Sequence, residues 1–363
     1  MSEFPTTVSP TADLGRPAVD LRTEDFDYPL DEGLIAQRPL AERDASRLLL
    51  VRRAASSLDD RYFRDLVSLI DPGDVLVLND TRVFPARLLG RKPSGAEAEV
   101  LLLQPVDGEK RRWRALVRPG GKLKPGRVVR VADSLEVLIE ESCEGGARLV
   151  ALQTPLPPLE AVFRYGRVPL PPYIRRSDDE DDQVRYQTVY AAESGSVAAP
   201  TAGLHFTRRV LEALESRGVE IARITLHVGP GTFRPVEESD PARHRLDAES
   251  YRVSAVAAAT INRCRAAGGA VWAAGTTTVR TLETVAGGNG VVEPGAGMTD
   301  LFIRPGYRFR IVDRLITNFH LPRSTLLMLV AAFAGYERTM AAYRHALERR
   351  YRFYSYGDAM VVM

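Results

Sequence analysis

The sequence predicts an α/β protein, a large mixed α/β domain with a small antiparallel β-barrel domain inserted into it. Two patterns predict this. Apolar strand-like runs alternate with helical stretches over most of the chain, and several of those runs end in polar turns marked by glycine or proline. Between Pro85 and about Pro155 the pattern changes to period-two alternation broken by hairpin signals. The division that follows is a disordered tail at 1–20, a first α/β part at 21–84, the inserted barrel at 85–156 and a second α/β part at 157–363. A chain of 363 residues is long enough to bury a large core in two domains.

Hydrophobic residues make up 45% and charged residues 26%, both ordinary globular values. A formal charge of +2 gives no global nucleic-acid footprint, so any such footprint must be local. Cys143 and Cys264 stand in no metal or redox spacing and are expected to be free thiols in a reducing cytoplasm. The first twenty residues have neither the basic start nor the apolar centre of a secretory signal. The longest apolar run, Leu326 to Ala334, falls far short of the roughly 20 residues a spanning helix needs, and predicts a buried helix instead.

In chain order, Asp27 to Gln37 is a turn followed by a short helix, and Arg47 to Arg52 an apolar strand. Phe63, Leu66, Val67 and Ile70 share one helical face before the Pro72-Gly73 stop. The strand Val75 to Leu78 then ends in Asn79-Asp80-Thr81-Arg82, residue types that serve equally as site groups and as turn formers. Within the barrel block, strands are expected near Glu97 to Gln104, Arg112 to Val117, Arg127 to Val131, Leu135 to Glu140 and Ala147 to Gln153. Lys110, Arg111, Arg112, Arg114, Arg118, Lys122 and Lys124 belong to a run without acids around Trp113. That run is either a solvated strand face or a surface contacting RNA phosphates. Val168 to Tyr173 is proline-rich and extended, Asp178 to Asp182 is an acidic solvated loop, and Tyr186 to Ala191 is strand-like.

Ser194 to Thr207 is an uncharged run in which Pro200, Thr201 and Gly203 shape the backbone and His205 is the one titratable side chain. Thr207 caps a helix with Val210, Leu211 and Leu214 on one face, and Gly218 ends it. The next strand runs to Val228, with His227 facing away from Leu226 and Val228, and opens into the Gly229-Pro-Gly231-Thr-Phe turn. After the strand Ala270 to Ala274, Gly275, Thr276 and Thr277 open a helix carrying Arg280 and Glu283, an arrangement suited to a small anion. The strand Leu315 to Phe319 carries Asn318 and leads to His320, and Ser324 caps the helix that follows. Ligands in open α/β sheets bind beyond strand carboxyl ends, so these four turns are expected to form one pocket. His244, Asp247 and Glu249 show metal-like spacing but lack a matching His or Cys pair. The last helix, Tyr336 to Arg350, gives way to Tyr351 to Met360, where the aromatics fit a core better than a base-stacking platform.

Taken together, DYPLDEGLIAQ, GDVLVLNDTRVFPARLLGRK, PLPPYI, YQTVYA, GSVAAPTAGLHFT, TLHVGPGTF, GTTTVRTLE, FIRPGYRF, LITNFHLPRSTLLMLVAAFAGY and YRFYSYGDAM resemble the S-adenosylmethionine:tRNA ribosyltransferase-isomerases of queuosine biosynthesis. The resemblance implies a cytoplasmic enzyme that uses no metal and no cofactor, since S-adenosylmethionine is a co-substrate. It implies transfer and isomerisation of the ribosyl group onto 7-aminomethyl-7-deazaguanine in the wobble position of a tRNA, with release of adenine and methionine. The expected partners are tRNA and S-adenosylmethionine; the protein is expected to be monomeric and off the membrane. Catalytic roles fall among His205, His227 and His320 in no assigned order, and Arg280 with the threonine turn is expected to hold the methionine carboxylate. Substrate contacts are expected from Asp80, Arg82, Thr201, Gly203, Gly229, Gly231, Gly275, Thr276, Thr277, Glu283 and Asn318. One segment departs from the family pattern: where relatives read His-x-Met-His-x-Glu and an aromatic, this chain has Leu246, Asp247 and Ser250. A relative acting on another amine, or a tRNA-binding protein without turnover, are the competing expectations.

Overall fold

A computed structural model of the chain describes residues 21–55, 57–229, 231 and 235–363. The predicted tail and, in the glycine-marked turn, Pro230, Thr232 and Phe233 lie outside the described residues.

Strands that are apolar along their whole length form the interior of one sheet, because both of their faces are covered. In spatial order this nine-stranded sheet consists of Gly295–Thr299, Glu249–Val253, Glu220–Leu226, Val75–Asn79, Val271–Ala274, Arg314–Asn318, Ala359–Val362, Arg47–Val51 and Leu58–Tyr62. Glu220–Leu226, Val75–Asn79, Val271–Ala274 and Arg314–Asn318 run parallel, which brings their carboxyl ends to one edge. Alternate residues feed two cores. Leu49, Val75, Val77 and Ala273 pack with Ile261, Leu282, Leu327 and Tyr343 from the helices on one face. Leu48, Leu76, Leu78 and Trp272 pack with Phe63, Leu66, Val210 and Leu214 on the other.

Helix ends fall where the capping residues put them. Thr207 and Ser324 accept hydrogen bonds from Val210 and Leu327 N–H, and start the helices Arg208–Ser216 and Thr325–Ala334. Gly335, at φ +91°, separates Thr325–Ala334 from Tyr336–Glu348, a turn a side chain would strain. No helix among the described residues is long and apolar enough to cross a membrane.

The inserted block closes into a six-stranded antiparallel barrel, ordered Arg148–Gln153, Arg112–Arg118, Glu97–Pro105, Arg87–Arg91, Val128–Ala132 and Leu135–Ser142. Leu88, Val100, Trp113, Val137 and Val150 fill it. The strand Arg87–Arg91 is an addition to the five expected. Its Gly90 weakens the strand pattern in sequence, but a Cβ there would lie 2.8 Å from Val129 Cγ1 and collide with the Arg130 carbonyl.

Ahead of the proline-rich stretch Val168 to Tyr173, a helix forms over Pro158–Tyr165, because Pro158 sits where a helix start needs no N–H. Two local expectations are corrected. The acidic run is the start of a helix, Glu180–Arg185, capped by Asp179; Asp182 is buried against Arg176 and Tyr356 rather than solvated. Tyr186 to Ala191 forms turns, not a strand, with Tyr186 and Tyr190 buried.

Candidate active site

At the shared strand edge, Asn79 ties three elements together. Its amide donates to the Leu226 carbonyl at 3.0 Å and to Thr277 Oγ1 at 3.2 Å, and its carbonyl accepts from Leu226 and Thr81 N–H. This fixes the ends of two strands against the start of the helix Thr276–Val285. Thr201, Gly275, Thr276, Thr277, Asn318 and His320, from three of the four turns expected to share one pocket, meet around a small inner pocket, while the turn after His227 opens mainly on a separate cleft. Gly203 packs behind them, where any Cβ would collide with Tyr190 Oη.

A second, larger cleft of about 720 Å³ lies between the barrel and the sheet. That volume is within the range of about 300–1,000 Å³ typical of ligand sites. Lys110, Trp113, Arg114 and Phe163 border it on the barrel side; His227, Gly229, Asp247 and Glu249 border it on the sheet side. Val228 lines both cavities, so the cleft and the inner pocket are neighbours.

The three candidate histidines occupy different environments. His227 is half-buried at the cleft; its Nδ1 lies 2.7 Å from Thr81 Oγ1, and burial lowers its pKa. His205 is buried against Phe63, with Nδ1 at Ser46 Oγ (2.7 Å) and Nε2 at the Asn318 amide (3.1 Å). His320 is buried with Nε2 at Thr317 Oγ1 (2.7 Å). Burial pushes both of these rings down to about 3, assisted at His205 by Arg43 and Arg352. Such a ring takes a proton more readily in the unfolded chain, whose reference value is 6.5. Its contribution to stability is therefore full above pH 6.5 and is lost as the pH falls toward 3. The urea midpoint is expected to decline from pH 6.5 to 5, and less steeply in His320→Gln. An unchanged slope in that variant contradicts a buried neutral His320.

Several expected contacts are placed elsewhere. Glu283 accepts from the backbone N–H groups of Arg310, Ile311 and Val312 and from Tyr307 Oη, which makes it a structural anchor outside both cavities. Arg280 is buried and ion-paired with Glu249, and also donates to the Leu301 and Thr299 carbonyls, so its guanidinium is not offered to the threonine turn. Asp80 is half-buried and accepts from Thr225, with its carboxyl pKa raised by burial; Arg82 is exposed, and neither borders the two cavities. Gly231 packs beside Asp247, where a Cβ would come within 2.5 Å of Oδ2. The metal-like trio is dispersed. His244 bonds Glu238, Glu249 holds Arg280 and the Gly229 N–H, and no group of three potential ligands among the described residues is placed to hold a metal.

The basic run is single-signed in sequence but not in space. Arg112 pairs with Glu140 across the barrel, Arg111 donates to the Leu152 carbonyl, and Lys110 and Arg114 alone reach the cleft. Arg118, Lys122 and Lys124 are exposed away from it. Thr81, Asn79 and Glu249 were not among the expected substrate-site residues. The polar run after Val75 to Leu78 was the available signal for the first two.

The fold and its cavities define an α/β protein with a cleft where parallel strand ends meet an inserted barrel. The chain matches the model of a family described as queuosine biosynthesis protein over residues 23–362. It is 54% identical over 350 residues to the S-adenosylmethionine:tRNA ribosyltransferase-isomerase of Symbiobacterium thermophilum, covering 94% of this chain and 100% of that protein. With the protein of that name from Moorella thermoacetica it shares 53% identity over 346 residues, with 94% and 100% covered. A crystal structure of S-adenosylmethionine tRNA ribosyltransferase from Thermotoga maritima is 39% identical, covers 93% of this chain and 100% of that one, and superposes with a TM-score of 0.54. The chain belongs to the queuosine biosynthesis protein family.

Proposed function

We propose that the protein transfers and isomerises the ribosyl group of S-adenosylmethionine onto 7-aminomethyl-7-deazaguanine in a tRNA wobble position, giving epoxyqueuosine, adenine and methionine. The observation that carries the reading is His227: of the three candidate histidines it alone borders the large cleft, beside the threonine-lined pocket. The sulfonium acidifies the neighbouring C5′ hydrogens, and a base must remove one. Thr81 Oγ1 lies 3.5 Å from the Glu193 carbonyl and 2.7 Å from His227 Nδ1. With the hydroxyl proton directed to that carbonyl, the oxygen accepts from Nδ1–H, and Nε2 keeps its lone pair for C5′. The lowered pKa keeps the ring in this basic form at neutral pH. Gly275 to Thr277, at the positive end of a ten-residue helix, would receive the methionine carboxylate in place of Arg280. Lys110 and Arg114 on the barrel wall would meet RNA phosphates.

Gly195 sits directly on His227: a Cβ would lie 2.8 Å from Nε2. Gly195→Ala is expected to displace the ring and slow adenine release by about 100-fold. An unaltered rate contradicts the placement of the base.

A different acceptor is the second reading, favoured by one observation: Asp247 and Ser250, two of the three residues that depart from the family pattern, both line the cleft. Incubation of S-adenosylmethionine with an anticodon stem-loop carrying the deazaguanine, and with one carrying guanine, separates the two. Adenine release with a mass gain confined to the modified RNA supports the proposal. Release without RNA dependence favours the other acceptor, and tight binding without release identifies a binding protein.

A further inference from the structure

Across His205 from the inner pocket lies a small surface depression bordered by Arg43, Ser46, Arg185, His205, Ser355 and Tyr356. Arg352, just outside its lining, donates to the carbonyl of Arg38, the residue before Pro39 and Leu40 of that lining. The three guanidinium groups have no ion-pair partner among the described residues; they donate to backbone carbonyls. Arg43 reaches Leu204 and Val184, Arg185 reaches Ala41 and Leu40, and Arg352 reaches Arg38. Arg185 Nε and Arg352 Nη1 are buried without any partner. Neighbouring carboxylates are committed elsewhere: Asp182 to Arg176, Asp44 to Arg209 and Asp358 to Arg47. Burial, followed by the charge of Arg185, lowers the Arg43 pKa to about 10. Like charges held together cost stability, and a bound anion would relieve that cost.

We infer that this depression binds a phosphate group, and that in the working enzyme the group is a backbone phosphate of the tRNA. The enclosed space, about 20 Å³, admits a water-sized group such as a phosphate oxygen and is too small for a nucleoside. Guanidinium forks match a tetrahedral oxyanion in charge and geometry. Leu204 and His205, which line the depression, belong to the same loop as Thr201 at the inner pocket, so RNA held here is coupled to the substrate site through one short segment. The RNA assignment rests on the proposed action on tRNA.

The test measures binding of a fluorescent anticodon stem-loop across a salt series, together with a tungstate soak of crystals of the full chain. Arg185→Gln is expected to weaken binding roughly tenfold and to reduce the slope of log affinity against log salt by about one, while Arg185→Lys restores the slope. Thermal melting of each variant reports folding, and tungstate is expected in the depression. If tungstate binds but the slope is unchanged in folded Arg185→Gln, the site takes free phosphate and the RNA assignment is overturned. If neither responds, the whole inference is overturned. Failure of the wild-type protein to release adenine would sink the proposed reaction without altering either of these readouts.

Discussion

His227→Ala is expected to slow adenine release by about 100- to 10,000-fold, the range that removal of a positioned general base produces. The loss should lie in kcat, because the side chain lines the cleft without closing it. His205→Ala and His320→Ala should instead lower the melting temperature, since both rings are buried with hydrogen-bond partners on their neighbours. The pH profile gives an independent check. Burial lowers the pKa of His227, so its ring stays neutral to lower pH than an exposed imidazole, and with His227 as the base the acid limb of kcat/KM should fall below 6.5. Wild-type turnover in His227→Ala, together with a large loss in either of the other two variants, would transfer the role to a buried ring.

Glu249→Ala is expected to be the most destabilising single change, by about 3–5 kcal/mol in urea denaturation, because it leaves the Arg280 charge buried without its partner. The same carboxylate accepts from the Gly229 N–H at 2.8 Å, so its loss also frees the turn that follows His227. Activity should therefore fall alongside stability. The double variant Glu249→Leu with Arg280→Met removes both charges and should regain much of the stability, yet not the activity, since the Gly229 contact stays broken. Equal stability of Glu249→Ala and the wild type would contradict a buried ion pair at this site.

What was legible in sequence follows from the range over which each feature is encoded. The parallel strands, their polar ends and the caps at Thr207 and Ser324 are local patterns, and they reappear as elements with the expected boundaries to within a few residues. The gathering of Thr201, Gly275 to Thr277, Asn318 and His320 was legible because strand carboxyl ends converge in such a fold. Pairings across the sheet were not. Thr81 and His227 are 146 positions apart, and Glu249 and Arg280 are 31 apart, with no local pattern joining either pair. The basic run misled for the same reason: Glu140, the partner of Arg112, arrives 28 residues later on another strand. The three histidines look equivalent as turn residues in sequence; burial of His205 and His320 and the place of His227 on the large cleft separate them.

In the proposed reaction S-adenosylmethionine binds with its reactive carbon facing His227. A crystal structure with an unreactive analogue of S-adenosylmethionine would show whether it does. The analogue is expected in the cleft between barrel and sheet, with C5′ about 3–4 Å from His227 Nε2 and the amino-acid carboxylate at the Gly275 to Thr277 turn. An analogue bound with C5′ remote from His227, or with its carboxylate on another element, would rule out His227 as the base and the threonine turn as the carboxylate site.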